Sequence, residues 1–197
     1  MRRVLVGLTL SAALAAPAFA ALKQGDAAPD FQAPAALAGK EFTFSLKEAL
    51  KNGPVVVYFY PSAFTKGCNV QARTFAINQE KFSAAKASII GVSLDNIETL
   101  KEFSADPEYC GGKVPVASDR EGKIAKSFDI KVMDARPGFK NTRGQDIDHG
   151  FAERTTFIVT PDGKIAATVG GPGVSPADNV QQALEAVQQI AGAKPAA

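Results

Sequence analysis

Cysteine and histidine are scarce here: two cysteines and one histidine in 197 residues. At most one disulfide can form, so the fold cannot depend on a multiply stapled framework, and neither a bound cofactor nor a metal is expected. Long apolar stretches are also missing. The run from Val4 to Ala16 falls short of the roughly 20 residues that a bilayer-spanning helix needs. It follows Arg2 and Arg3 and precedes Ala18-Phe19-Ala20, a small-x-small cleavage signature. That pattern predicts a cleavable export signal over residues 1–20 rather than a retained anchor. An excess of either charge is absent too. Cleavage after Ala20 removes two arginines and no acid, taking the formal charge from +2 to zero. A neutral mature chain gives no reason to expect nucleic acid or an anionic membrane surface as a partner.

What remains from Ala21 to Ala197 fits one domain large enough to bury a core unaided. The tail, about 192–197, is expected to be disordered. Runs rich in β-branched and aromatic residues predict strands at Val55–Tyr60, Ser88–Leu94, Thr155–Thr160 and Lys164–Val169. The first two are nearly continuous in apolar residues, as in strands covered on both faces. Helices are predicted at Ser45–Lys51, Lys66–Lys86, Ile97–Ala105, Glu121–Phe128 and Pro176–Ile190. Ser175 is placed to cap the last of these, with Pro176 at its first position and Asp178 in its first turn. Pro161-Asp162-Gly163 predicts a hairpin turn. The order points to an α/β fold, a central mixed β-sheet with helices on both faces. From Lys131 to Gly150 no apolar period is visible, and this stretch is expected to be an exposed loop flanking the site.

Cys68 ends the run Val55-Val-Val-Tyr-Phe-Tyr-Pro-Ser-Ala-Phe-Thr-Lys-Gly-Cys68. This spacing puts a thiol in the first turn of a helix just beyond a buried strand. Free backbone N–H groups and the positive end of the helix dipole favour a thiolate there. An ordinary thiol is only about 3% ionised at pH 7, and lowering its pKa to about 6 requires about 3.4 kcal/mol. A helix N-terminus supplies about 0.3 to 2 kcal/mol, so a second positive group is needed, most simply an arginine. Thr65 is positioned to cap the helix by accepting the Cys68 N–H, and its hydroxyl could also bind a substrate oxygen. Pro61 stops the strand. Cys110 can be read in two ways, as the partner of Cys68 in a bracing disulfide or as one member of a catalytic pair.

Pro61-x-x-x-Thr65-x-x-Cys68 after an apolar strand resembles the active-site signature of peroxiredoxins. Three further segments resemble that family: Gly25–Phe31, Val114–Phe128 and Arg154–Ile165. The similarity runs from about Gln24 to Ile190. It implies a thioredoxin-like fold and a thiol-dependent peroxidase acting on hydrogen peroxide and small organic hydroperoxides. It further implies that Cys68 is the peroxidatic cysteine, surrounded by Thr65, Pro61 and Arg154. Displacement at an O–O bond needs those groups: a thiolate, donors for both oxygens and positive charge for the departing oxygen. The resemblance also implies recycling by a thioredoxin-like or other dithiol reductant, as a monomer or weak homodimer. The export signal would place the reaction in the periplasm, an oxidising compartment.

The subgroup most resembled is the PrxQ or bacterioferritin comigratory protein type. Its resolving cysteine lies five residues after the first or in the next major helix. Arg73 closes the first option, and Cys110 lies at the end of the second region. A Cys68–Cys110 disulfide implies local unwinding around Thr65–Ala72 and movement near Asp106–Gly112. Gln71 stands where many relatives carry glutamate. His149 is expected to be a solvated loop histidine. Two rivals on the same fold lose their ligands or second thiol: Gln71 breaks Cys-x-x-Cys, and Ala72 breaks the Cys-x-x-x-Cys of a copper carrier. A binding module braced by Cys68–Cys110 remains the alternative, and it would show no rate with peroxide.

Overall fold

The computed structural model describes residues 21–192. The expected signal segment and residues 193–197 of the expected tail lie outside the described residues. In chain order the elements are β1 (Gln32–Leu37), β2 (Lys40–Ser45), α1 (Leu46–Leu50), β3 (Val55–Phe59), α2 (Lys66–Ala84), β4 (Ser88–Ser93) and α3 (Ile97–Ala105). There follow β5 (Val116–Ser118), α4 (Lys123–Ser127), β6 (Val132–Met133), β7 (Phe151–Ala152), β8 (Thr155–Val159), β9 (Ile165–Gly170) and α5 (Pro176–Gly192).

Seven strands form one sheet in the order β2-β1-β5-β4-β3-β8-β9. Its centre, β5-β4-β3, is parallel, and both flanks are antiparallel. The β3 sequence Val-Val-Val-Tyr-Phe is buried throughout because both faces are covered. Alternation along β3 sends Val56 and Tyr58 into one core and Val55, Val57 and Phe59 into the other. The step from β3 through α2 to β4 and on through α3 to β5 moves one way across the sheet. Right-handed crossovers then put α2 and α3 on the same face. Phe75 and Phe82 of α2, Leu100 and Phe103 of α3 and Val180, Leu184 and Val187 of α5 fill that core. Leu46 and Leu50 of α1 and Ala125 of α4 cover the opposite face.

The expected mixed sheet with helices on both faces is present. The α5 start is as expected, with the Ser175 hydroxyl accepting the Asp178 N–H at 3.1 Å. The hairpin at Pro161–Gly163 is also there, closed by Thr160 N–H to the Lys164 carbonyl at 2.9 Å, with Gly163 at φ +75°. The short β5 and α4 fall within Val114–Phe128, the segment whose family resemblance implied a strand and a helix; beyond the expected elements lie the β1–β2 hairpin and a two-stranded sheet of β6 and β7 inside and just after the segment expected to be loop.

Candidate active site

The strand β3 runs out at Phe59, and Tyr60 keeps one further link to the sheet through its N–H to the Val92 carbonyl at 3.1 Å. Pro61 follows, and the turn from Ser62 to Phe64 drops the chain into the N-terminus of α2. Phe64 lies at φ +56°, a costly conformation for a residue with a side chain. Its carbonyl is held by the N–H and hydroxyl of Thr142 at 2.8 and 2.7 Å, and its ring lies under the Arg143 guanidinium at 3.5 Å.

Thr65 is the N-cap residue of α2 by backbone conformation, but its side chain makes no capping bond. The hydroxyl instead donates to the Ser62 carbonyl at 2.8 Å. The expected bond to Cys68 N–H is therefore corrected: the hydroxyl hydrogen satisfies a carbonyl of the tight turn, and the oxygen keeps its capacity to accept. The N–H groups of Gly67 and Cys68 belong to the first turn, which has no intrahelical acceptors for them.

Cys68 is almost wholly buried, at 2% exposure, and is a free thiol. Arg154, immediately before β8, reaches it: Nη2 donates to the Cys68 Sγ at 3.3 Å. Its Nη1 donates to the Gln71 side-chain oxygen Oε1. The Gln71 amide in turn donates to Asn179 Oδ1 at 2.9 Å, which also accepts from the Thr156 hydroxyl at 2.6 Å. The Asn179 amide donates to the Val169 carbonyl at 3.2 Å. Gln71 and Asn179 are both fully buried, so this relay across α2, α5, β8 and β9 fixes the arginine from behind. Among the described residues Arg154 meets no carboxylate, since the place three residues after Cys68 holds a neutral amide. A Cβ on Gly67 would lie 3.2 Å from Arg154 Nη2, so the glycine gives the guanidinium room.

Cys110, also free and fully buried, sits in the turns after α3. Burial, and then the Asp106 carboxylate, push its thiol far up from its ordinary pKa, which keeps it protonated. Both thiols adjoin Tyr58, whose phenol is raised first by burial and then by the nearness of Cys110 and Cys68. Arg73, at the position where a second cysteine would stand in one class of relatives, ties α2 to the Cys110 turn by donating to the Pro107 carbonyl at 3.0 Å. Arg143 ties the end of α3 to the start of that turn through Glu102 at 2.9 Å and Asp106 at 2.7 Å.

His149 is not a solvated loop residue. It is buried against Asp95, with Nε2 2.9 Å from the carboxylate and Nδ1 2.7 Å from the Gly150 carbonyl. Both neighbours only accept, an arrangement that favours the doubly protonated ring. Burial alone would lower its pKa, but the Asp95 bond and charge raise it overall. Burial pushes the Asp95 carboxyl up, yet His149, the Ala63 N–H and Ser93 hold it below its ordinary value. Asp95 also accepts from the Ser62 hydroxyl at 2.9 Å and the Ala63 N–H at 2.8 Å. The ion pair thus anchors the turn after Pro61, and the segment 131–150 is partly built into the site. Spacing alone could not reveal this, because Asp95 and His149 lie 54 positions apart. Among the described residues no group of three histidine, cysteine, aspartate or glutamate side chains is arranged to hold a metal.

The AhpC/TSA family model matches residues 24–168. The chain belongs to the AhpC/TSA family. Peroxiredoxin Bcp of Escherichia coli is 31% identical over 144 residues, covering 73% of this chain and 83% of that protein. The crystal structure of peroxidoxin BcpB from Mycobacterium tuberculosis superposes with a TM-score of 0.70 at 28% identity, covering 86% of this chain and 98% of the other. A Xanthomonas campestris bacterioferritin comigratory protein, characterised for alkyl peroxide reduction, gives a TM-score of 0.62 at 28% identity over 80% of this chain and 91% of its own. This AhpC/TSA protein is accordingly a thiol peroxidase, an oxidoreductase of the PrxQ and bacterioferritin comigratory protein kind.

Proposed function

We propose that Cys68 reduces hydrogen peroxide and small organic hydroperoxides and that Cys110 resolves it through an intramolecular disulfide. One observation carries the reading: the Arg154 guanidinium donates to the Cys68 sulfur at 3.3 Å at the open N-terminus of α2. A thiolate there attacks the terminal peroxide oxygen in line. The S–O bond forms with a sulfur electron pair, the O–O bond breaks, and the departing hydroxide or alkoxide takes a proton from solvent, leaving Cys68 as a sulfenic acid. Arg154 and the first-turn N–H groups stabilise the charge on the separating oxygens. Thr65, with its own hydrogen committed to Ser62, accepts the peroxide O–H, and Pro61 shields the sulfur from water.

The second step condenses the sulfenic acid with the Cys110 thiol, forming S–S and releasing water. Both sulfurs are buried, so the step requires the first turn of α2 and the segment near Asp106–Gly112 to open. Gly111 and Gly112, both at positive φ, give that segment an alternative path. A thioredoxin-like dithiol then returns both thiols to the reduced state. The leader pattern of residues 2–20 supports a periplasmic site for the cycle, carried out by a single domain acting as a monomer or weak homodimer. Peptide mapping after one equivalent of hydrogen peroxide tests the assignment. A Cys68–Cys110 link within one chain is expected; a lasting sulfenic acid or a link between chains would overturn the resolving role.

A further inference from the structure

Beside the peroxide site lies a pocket of about 200 Å³ lined by Pro61, Thr65, Met133, Arg136, Phe139 and Phe151. Two of these residues flank the approach to Cys68. The other four come from the β6–β7 region, where Met133 faces Phe151 across the small sheet and Phe139 packs edge-on against the Phe151 ring at 5.7 Å. Phe139 is left 42% exposed, which keeps the rim hydrophobic. The volume is below the about 300–1,000 Å³ of a drug-sized site, so it suits a short chain.

Arg136 sets the character of this pocket. Arg120 and Arg143 are both salt-bridged to carboxylates. Arg136, in contrast, meets no carboxylate among the described residues and rests over the Phe151 ring at 5.7 Å. An apolar lining with one uncompensated cation at its edge complements an amphipathic anion. Resting on the peroxidase reading above, we propose that this pocket selects organic hydroperoxides that carry a carboxylate on a short alkyl chain. The peroxide oxygens face Cys68, the chain lies against Met133, Phe139 and Phe151, and the carboxylate reaches Arg136. The chemistry is that of the first step, with the carboxylated alkoxide as leaving group.

The test uses a matched pair, 4-hydroperoxy-4-methylpentanoic acid and its methyl ester, with hydrogen peroxide as the reference for every variant. The reduced protein should oxidise about two- to fivefold faster with the acid than with the ester at low salt, and the preference should shrink at 0.5 M sodium chloride. Arg136→Gln should bring the acid-to-ester ratio to about one, Arg136→Lys should keep part of it, and Arg136→Glu should invert it. Because the side chain is exposed, these variants should fold, which circular dichroism verifies. A ratio of one in the unmodified protein, or a ratio that survives Arg136→Glu, would overturn the pocket assignment. Failure with hydrogen peroxide itself would instead overturn the peroxidase reading on which it rests.

Discussion

Replacing Gln71 with leucine isolates the work done by the buried relay behind Arg154. The two side chains are similar in volume, so little cavity is created, but both bonds of Gln71 are removed: acceptance from Arg154 and donation to Asn179. A hydrogen bond to a charged group contributes about 1.5 to 3 kcal/mol and a neutral one about 1. Burying leucine offsets about 1.5 to 3 kcal/mol of that loss. The expected net destabilisation is about 1 kcal/mol, read as a shift of the urea midpoint at unchanged slope. The rate should suffer more than stability. Without the Gln71 acceptor the guanidinium is no longer aimed at the sulfur, and losing its transition-state contact costs about 1.5 to 3 kcal/mol, or about 10- to 150-fold. A double-mutant cycle makes the attribution specific: in an Arg154→Gln background, Gln71→Leu should slow the peroxide step by less than about twofold further. Rapid mixing of reduced protein with hydrogen peroxide supplies all four rates. If Gln71→Leu loses stability as forecast yet reacts within about twofold of the parent, Arg154 is held in place without the relay and the argument fails.

Gly67→Ala should slow the peroxide step by about threefold to tenfold, because the new Cβ crowds Arg154 Nη2, while the urea midpoint stays within the ordinary surface range of about 0.5 kcal/mol. Cys110→Ser should leave the first oxidation of Cys68 fast but stop turnover with a dithiol donor, the sulfenic acid being trapped by a dimedone probe in mass spectrometry. Rapid dithiol-driven turnover in that variant would remove Cys110 from the cycle. The Asp95–His149 pair should make stability bell-shaped in pH. The raised His149 pKa gives a contribution complete below about pH 6.5 and lost as pH rises through the folded value, whereas the lowered Asp95 pKa gives one complete above about pH 3.9 and lost as pH falls through its folded value. Urea midpoints should therefore fall from pH 6 to pH 9 in the parent and stay level over that window in His149→Asn; a parallel fall in both would assign the effect elsewhere.

The parts of the molecule legible in the sequence are those set by local pattern. Val55–Phe59 is apolar at every position and so announces a strand covered on both sides, and Cys68, Ala72, Phe75, Ala76 and Phe82 mark the inward stripe of α2. The hairpin of β1 and β2 was hidden because β1 reads Gln-Ala-Pro-Ala-Ala-Leu, with a proline and three alanines of weak strand preference. Its turn is Ala38-Gly39, both at positive φ, where asparagine or aspartate before glycine would be the usual signal. Thr65 shows the limit of cap rules: residue type and backbone fit a cap, but a nearer carbonyl at Ser62 takes the hydroxyl. His149 shows the limit of composition, since a polar neighbourhood along the chain becomes a buried one when Asp95 arrives from the end of β4. The link from Gln71 to Asn179 spans 108 positions and exists only once α2 and α5 pack.

The most direct measurement is the second-order rate of the reduced protein with hydrogen peroxide, followed by stopped-flow fluorescence or competition and compared with Cys68→Ser and Arg154→Gln. A sulfur held by the Arg154 guanidinium in the first turn of α2 should react orders of magnitude faster than a free thiol at the same pH. Arg154→Gln should retain only a small fraction of that rate and Cys68→Ser none of it. A parent protein that reacts no faster than free cysteine, or a Cys68→Ser variant that keeps the parent's rate, would contradict the placement of the peroxidase chemistry at Cys68.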